Sequence, residues 1–215
     1  MALRRYRRFV RRIPRRRRTG FRKRRRVLHR RRQPVLWVKL TRTIQVTQAP
    51  NVELNVPLHC QLNDFSEHIN LGANFERVKV YKQVIRVFPQ QNVSNTSTSR
   101  VGNYCILPYH KPVPSPFVSL PTALSIDKAK IFRGTQKGRM AFVPATRLDA
   151  DSSTGNQTIR TDWRPEFEIG TTATLPILYT GMLVFENLGI ALGPTSYYTI
   201  IMDLYVRYKN QRSFI

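Results

Sequence analysis

The residues whose type and spacing could do chemistry are the arginines at the start of the chain. Of the 37 Lys and Arg residues, 18 lie before Gln33, and the first acidic residue is Glu53. Such a block repels itself and has little apolar surface to bury, so it cannot fold alone and needs a dense polyanion. We expect residues 1–34 to be a disordered arm that binds nucleic acid. Its expected contacts are Arg4, Arg5, Arg7, Arg8, Arg11, Arg12, Arg15, Arg16, Arg17, Arg18, Arg22, Lys23, Arg24, Arg25, Arg26, Arg30, Arg31 and Arg32.

Within the arm, apolar residues recur at helical spacing. Tyr6, Phe9, Val10 and Ile13 share one helix face, and Pro14 ends that pattern. Either a short amphipathic helix forms once phosphates neutralise the arginines, or these residues only space the charges. The basic clusters, separated by short spacers, also suit the acidic groove of a nuclear import receptor.

Catalytic constellations are weak in this sequence. Glu166 and Glu168 lie two apart, but the outward face of an edge strand is their ordinary setting. The segment 134–138, GTQKG, resembles a phosphate loop without the strand–loop–helix context, so we interpret it as a basic surface turn. Asp149 and Asp151 favour a turn more than a cation site. The sequence indicates that the protein is not an enzyme.

Metal and cofactor sites are also not indicated. Cys60 and Cys105 form no CxxC pair, and we expect reduced, structural thiols. His59, His68 and His110 are interpreted as loop or surface residues. We therefore expect neither a metal nor a cofactor.

The rest of the chain has the pattern of strands. Val38, Leu40, Ile44 and Val46 alternate with polar residues, and residues 198–208 alternate most cleanly of all. Residues 48–75 look loop-like, with a helical turn near residues 64–67. Residues 177–185 are apolar on both faces, which predicts a strand covered on both sides.

In the segment 76–88, one apolar set occupies even-numbered positions in the first half and another occupies odd-numbered positions in the second half. Val78 and Val80 lie on one face, while Ile85 and Val87 continue the apolar set on the opposite parity. A residue must therefore be inserted near positions 81–83, which predicts a β-bulge or a strong twist there.

Eight short strands, no long helix and long Pro/Gly/Asn connections predict an all-β fold. We expect a single eight-stranded antiparallel jelly roll of two packed sheets over residues 35–215, with the basic arm before it. Its remaining 19 basic and 12 acidic residues leave a moderately basic body.

No secretory signal and no apolar run long enough to span a bilayer is apparent, so we expect no membrane insertion. Trp37 is expected in the core, although stacking on bases at the mouth of the arm is an alternative.

Three segments resemble the capsid proteins of circoviruses. The opening MALRRYRRFVRR is similar to theirs, and residues 75–89, FERVKVYKQVIRVFP, resemble their F-E-x-x-[RK]-[VI]…F-[WF]-P block. The closing strand YYTIIMDLYVRYKNQ looks like their final strand. The polar loop at 90–100 looks more like the cyclovirus branch.

The resemblance implies a structural shell protein located in the virion and the host nucleus. It implies a homo-oligomer of sixty copies that encloses circular single-stranded DNA, with a nuclear localisation signal in the arm and outer loops for host attachment. Six basic residues of the body are expected either to line the shell interior or to bind an acidic cell-surface glycan outside, and the sequence alone does not orient them: Lys79, Lys82, Lys130, Arg133, Lys137 and Arg139. About sixty such arms would supply on the order of a thousand positive charges, which matches a genome of one or two kilobases. The implied strands are B 37–47, C 76–88, D 103–107, E near 123–131, F 139–144, G 166–170, H 177–186 and I 197–209, in sheets BIDG and CHEF.

The main alternative is a non-viral basic nucleic-acid-binding protein of ribosomal or chromatin type. Such proteins usually spread Arg and Lys over the folded body, whereas half of the basic residues here stand in one terminal block. A nuclease would need a metal-ligand cluster that the sequence does not suggest.

Overall fold

The structure, a computed structural model, describes residues 35–90, 101–114, 117–150, 158–170, 175–189 and 195–212. The arm lies outside them, so its expected disorder, helix and contacts stay predictions. The described strands are β1 Val35–Gln48, β2 Leu54–Pro57, β3 Phe75–Pro89, β4 Tyr104–Pro108, β5 Lys130–Phe132, β6 Gly138–Phe142, β7 Ala145–Ala150, β8 Thr158–Trp163, β9 Glu166–Glu168, β10 Gly181–Phe185 and β11 Ser196–Gln211. The helices are α1 Ser66–Gly72 and α2 Leu120–Leu124, with a 3-10 turn at Leu62–Asp64.

Two antiparallel sheets make up the body. The first has the strand order β1-β11-β3-β6, with β9 added to β3, and the second has the order β2-β10-β4-β5. Strands β7 and β8 form a separate hairpin. Eight strands in two four-stranded sheets with these crossovers form a jelly roll, so the expected fold class is confirmed. No helix among the described residues is long and apolar enough to cross a membrane.

The expected lettering of the strands is wrong for five of the eight. The observed orders match BIDG and CHEF only if β2 is strand C, β3 is D, β4 is E, β5 is F and β6 is G. The strand missing from the sequence interpretation is β2, four residues long and ending at Pro57, inside a segment assigned to a loop. Without β2, the strands from β3 to β6 each receive the letter that precedes the correct one. The region expected to hold strand E instead contains the end of α2 and the start of β5.

The main core lies between the two sheets. Strand β11 is the centre of the first sheet, paired along its length with β1 and β3. Its inward residues, among them Ile200 and Leu204, are fully buried, and they share one cluster with Ile106 and Leu183 of the second sheet. The alternation predicted for residues 198–208 therefore places one face of this strand in the core.

The two central strands of the second sheet are covered on their other face as well. Met182 and Val184 of β10, with Cys105 and Leu107 of β4, pack under Leu120 and Ala123 of α2. This confirms the prediction of a strand apolar on both faces. Pro121, near the start of α2, suits a position where the backbone N–H needs no partner.

The predicted bulge in β3 is confirmed. Tyr205 pairs with Lys82, but the next residue, Val206, pairs with Val80, so Tyr81 is the additional residue. The insertion returns the apolar residues of both halves of β3 to the core. It also leaves Tyr81 and Lys82 on the same outward side.

Candidate nucleic-acid interface on the outward face of the first sheet

The outward face of the first sheet is rich in basic side chains, and we call it the open face. Alternation along β1, β3, β6, β9 and β11, with the turn before β6, assigns its residues. Its basic members are Lys39, Arg77, Lys79, Lys82, Arg86, Lys137, Arg139, Arg207 and Lys209. Its acidic members are Glu166, Glu168 and Asp203.

The open face and the arm together hold nearly all the net charge. The open face has nine basic and three acidic residues, and the arm has 18 basic and none acidic. The remainder of the chain therefore has ten basic and nine acidic residues against a total of 37 and 12. The excess charge is concentrated on two features, which is typical of a specific polyanion contact.

Ion pairs neutralise part of the open face. Lys209 Nζ lies 2.7 Å from Glu166 Oε1, and Arg77 pairs with Glu168 at 2.9 Å. The hydrogen bond from Lys209 is the main reason that the pKa of Glu166 is lowered. Each glutamate therefore pairs with a basic side chain on the outward face of β9, which is the edge-strand setting expected for both. Among the described residues, five basic members of the open face make no ion pair: Lys39, Lys82, Lys137, Arg139 and Arg207.

A buried carboxylate lies near the middle of the open face. Asp203 of β11 is only 4% exposed, yet it lies on the outward side of its strand. Its Oδ2 accepts a hydrogen bond from Arg86 Nη2 at 2.6 Å, and its Oδ1 accepts one from Thr41 Oγ1 at 3.1 Å. These two hydrogen bonds connect Asp203 of β11 to one residue of β3 and one of β1, so they link three neighbouring strands of the sheet.

Aromatic rings interleave with these charges. Trp37, expected in the core, is 60% exposed, because its position in β1 alternates out of phase with the inward residues Val38 and Leu40. Its ring lies 4.8 Å from that of Tyr81, centroid to centroid. The guanidinium of Arg207 lies 5.4 Å from the Trp37 centroid and 5.3 Å from the Tyr81 centroid.

The structure locates the six basic residues of the body that the sequence alone does not orient. Of these, Lys79, Lys82, Lys137 and Arg139 belong to the open face. Lys130 is in β5 of the second sheet and Arg133 follows it. The GTQKG segment is the turn between β5 and β6, as interpreted, and its Lys137 lies 5.5 Å from the Phe88 ring.

The other candidate residues do not come together in one site, and those that the structure describes are part of the packing of the fold. His68, interpreted from the sequence as a loop or surface residue, is instead buried on α1, where its Nδ1 lies 2.7 Å from Tyr208 Oη. Cys60 and Cys105 are free and buried, as expected, and burial raises the pKa of Cys60 to about 12 and of Cys105 to about 11. The side chain of Asp149 and all of Asp151 lie outside the described residues. No group of three metal-ligating side chains forms in the described part of the chain.

The fold is that of viral capsid proteins. The chain is similar to the BFDV capsid protein in its 60-mer structure, with a TM-score of 0.65 and 16% identity over 85% of this chain and 97% of that one. It is also similar to the decameric form of the BFDV capsid protein, with a TM-score of 0.55 and 17% identity over 82% of this chain and 100% of the other.

The family follows from sequence similarity. The family model of the circovirus capsid protein matches residues 3–212. The capsid protein of Human associated cyclovirus 1 is 37% identical over 183 residues, covering 82% of this chain and 83% of the relative. The chain therefore belongs to the circovirus capsid protein family. It is a viral capsid protein, a structural component of the virion, and the resemblance in its sequence is confirmed.

Proposed function

We propose that this capsid protein packages a circular single-stranded DNA genome, with residues 1–34 as the genome-binding arm and residues 35–215 as the shell domain. The shell is proposed to contain sixty copies, like the 60-mer structure of the similar BFDV capsid protein. The observation that carries the proposal is the distribution of charge, with 18 basic residues in the arm and an excess of six on the open face.

The open face is proposed to turn toward the genome together with the arm. Val35, at the start of β1, follows the last residue of the arm directly. About sixty copies would add on the order of 360 charges from the open face to about a thousand from the arms. Binding of this type is set by counterion release, so it is tolerant of sequence and strongly dependent on salt.

A truncated protein tests the arm. A chain lacking residues 1–32 should keep the circular dichroism of a β-rich body but bind a single-stranded oligonucleotide far more weakly. The dependence of the logarithm of the binding constant on the logarithm of salt should also flatten, because each lost phosphate contact removes about 0.7 from the slope. A variant with every arm arginine changed to lysine is the matched control, since it keeps the charge. Equal binding by the truncated and full chains would refute this role of the arm.

The arm is also proposed to direct nuclear import. A fluorescent reporter carrying residues 1–34 should accumulate in the nucleus, and one carrying the same segment with arginine changed to serine should not. The charge required for import is the same charge that later meets the genome. Cytoplasmic retention of the unaltered fusion would contradict the proposal.

Host attachment is proposed to involve an acidic glycan at the shell exterior. A recess of about 500 Å³ between β4 and the β7–β8 hairpin is lined by Lys111, Arg147, His110 and Trp163, among others. Cationic side chains beside an exposed ring suit a sulfated sugar. Assembled particles with Lys111→Gln and Arg147→Gln should elute from a heparin column at lower salt than unaltered particles. Lys128→Gln is a matched control outside this recess; equal elution of the double variant and unaltered particles would refute it.

A further inference from the structure

The aromatic and guanidinium groups at one end of the open face form a compact cluster of three side chains. We call Trp37, Tyr81 and Arg207 the stacking cluster. Arg207 is the pairing partner of Trp37 in β1, and the bulge in β3 brings Tyr81 beside both. The two rings are tilted by 44° and 4.8 Å apart, and the guanidinium contacts both.

The cluster leaves binding capacity unused. Trp37 is 60% exposed, although indole is one of the largest apolar side chains. The Nε of Arg207 is buried without a hydrogen-bond partner in the described part of the chain. The nearby Glu166 is bonded to Lys209 instead. A largely exposed indole and a guanidinium that makes no ion pair with the described residues therefore lie side by side.

The basic residues around the stacking cluster favour a negatively charged ligand. Lys39 and Lys82 lie on the same face and make no ion pair with the described residues, while Lys79 shares Glu166 with Lys209. Trp37 is three positions from Pro34, the last residue expected in the arm. A polyanion held by the arm therefore starts within a few residues of the cluster along the chain.

We propose that the stacking cluster binds an unpaired base of single-stranded nucleic acid, with Arg207 donating to the adjacent phosphate. Trp37 supplies the ring on which the base stacks, and Tyr81 holds the orientation of Trp37 and Arg207. The bases of a duplex already stack on each other and offer no free face, so the cluster distinguishes single strands from duplexes. This inference rests on the proposed genome-binding function and adds a preference that charge alone does not give.

Oligonucleotides of equal charge separate stacking from charge. The full chain and its Trp37→Ala variant are titrated with a thymidine 20-mer, an abasic 20-mer of equal phosphate number and a duplex. Trp37→Ala should weaken binding of the thymidine strand by about 5- to 100-fold, the range for one base–aromatic stack. Binding of the abasic strand and the duplex should change by less than about twofold, and the salt slope should stay the same. Phe117→Ala is the matched control, because Phe117 is another aromatic residue, 50% exposed, that lies outside the strands of both sheets.

A second measurement reports on the ring itself. The chain has two tryptophans, so Trp163→Phe leaves Trp37 as the sole indole fluorophore. The thymidine strand should quench its emission, and the abasic strand should not. Arg207→Lys keeps the charge but loses the planar guanidinium, and it should reduce affinity for the thymidine strand more than for the abasic strand.

The outcomes are separable from those of the proposed function. Equal loss of binding to the thymidine and abasic strands in Trp37→Ala, or no loss to either, overturns the stacking role while the arm still binds DNA. Failure of the arm is detected independently, by undiminished binding after deletion of residues 1–32. Thermal melts and sedimentation of each variant confirm that fold and assembly state are matched. Quenching of Trp37 by the abasic strand as strongly as by the thymidine strand also overturns the inference.

Discussion

The buried histidine of α1 is expected to make the stability of the folded body dependent on pH. His68 is 3% exposed, and its Nδ1 shares a hydrogen bond of 2.7 Å with the hydroxyl of Tyr208, a residue of the central strand. The rings stack with centroids 5.9 Å apart. Burial disfavours the imidazolium, so the pKa of His68 is lowered from its ordinary value of 6.5.

The sign and size of the effect follow from linkage. A group whose pKa is lower in the folded state binds its proton more readily when unfolded, so the stabilisation is complete well above pH 6.5 and declines as pH falls below that value. The loss of stability between about pH 7.5 and about pH 5.5 is at most about 1.4 kcal/mol, the value reached when His68 stays neutral in the folded chain. For a domain of this length that lowers the melting temperature by about 3–6 °C. Burial lowers the pKa of His59 and His110 as well, which adds to the decline in the same direction.

The assay is the melting temperature of the unassembled protein measured across this pH range. His68→Gln should start from a lower stability at pH 7.5, because the packing against Tyr208 is disturbed, but its melting temperature should fall less on acidification. His29→Gln is the matched control, since His29 belongs to the expected arm. If the melting temperature of His68→Gln falls as steeply as that of the unaltered chain, His68 is not the buried group whose protonation destabilises the folded domain.

Further changes probe the sheet and its connections. Gly134→Ala should destabilise the domain by about 1–3 kcal/mol in urea unfolding, because a Cβ there would clash with the carbonyl oxygen of Gly102. Gly189→Ala, with no neighbour within 4 Å at its Cβ, should cost less despite its positive φ. Asp203→Asn should cost about 1–3 kcal/mol by leaving the Arg86 charge unpaired, and the double variant with Arg86→Met should cost less than the sum of the singles; additivity in this cycle would contradict a coupled pair. The two buried thiols should react with a disulfide reagent at pH 7.5 only as fast as the domain opens, so rapid labelling of the native protein would contradict their burial.

Much of the first sheet could be predicted from the alternation of residue types. Strand β11 follows a strict period of two from Tyr198 to Tyr208, because one face lies in the core and the other does not. The same rule locates the bulge at Tyr81, since two apolar sets of opposite parity in one strand require an inserted residue. The periodicity of β1 also places Trp37 outward. The expectation of burial follows its apolar type and ignores its phase in the strand.

Short and polar strands could not be predicted in the same way. Strand β2 has four residues between turn-rich segments, too few to show a period. Strands β7 and β8 are rich in polar residues, such as Thr146 and Asp162. They pair with each other in a separate hairpin. Strand β2 pairs with β10, far along the chain, and β7 and β8 each depend on the other, so the local composition of each segment does not encode a strand. The burial of His68 likewise depends on Tyr208, 140 positions away.

The open face has no signature in the sequence because its residues come from separate strands. Lys39, Lys82, Arg139 and Arg207 are scattered over 169 positions, and only the order β1-β11-β3-β6 brings them onto one side. A linear scan therefore finds the arm and reports the rest of the body as moderately basic.

The two sheets have different outward surfaces, and this asymmetry connects the fold to the proposed packaging. The central strands of the second sheet, β10 and β4, bury both faces, one in the main core and one under α2. The first sheet buries one face and leaves the other with nine basic residues, three acidic ones and the stacking cluster. Outside the arm and the open face the charges nearly balance, at ten basic and nine acidic residues. A shell subunit of this design has one side suited to a polyanion, so neighbouring subunits can meet through nearly neutral surfaces without like-charge repulsion.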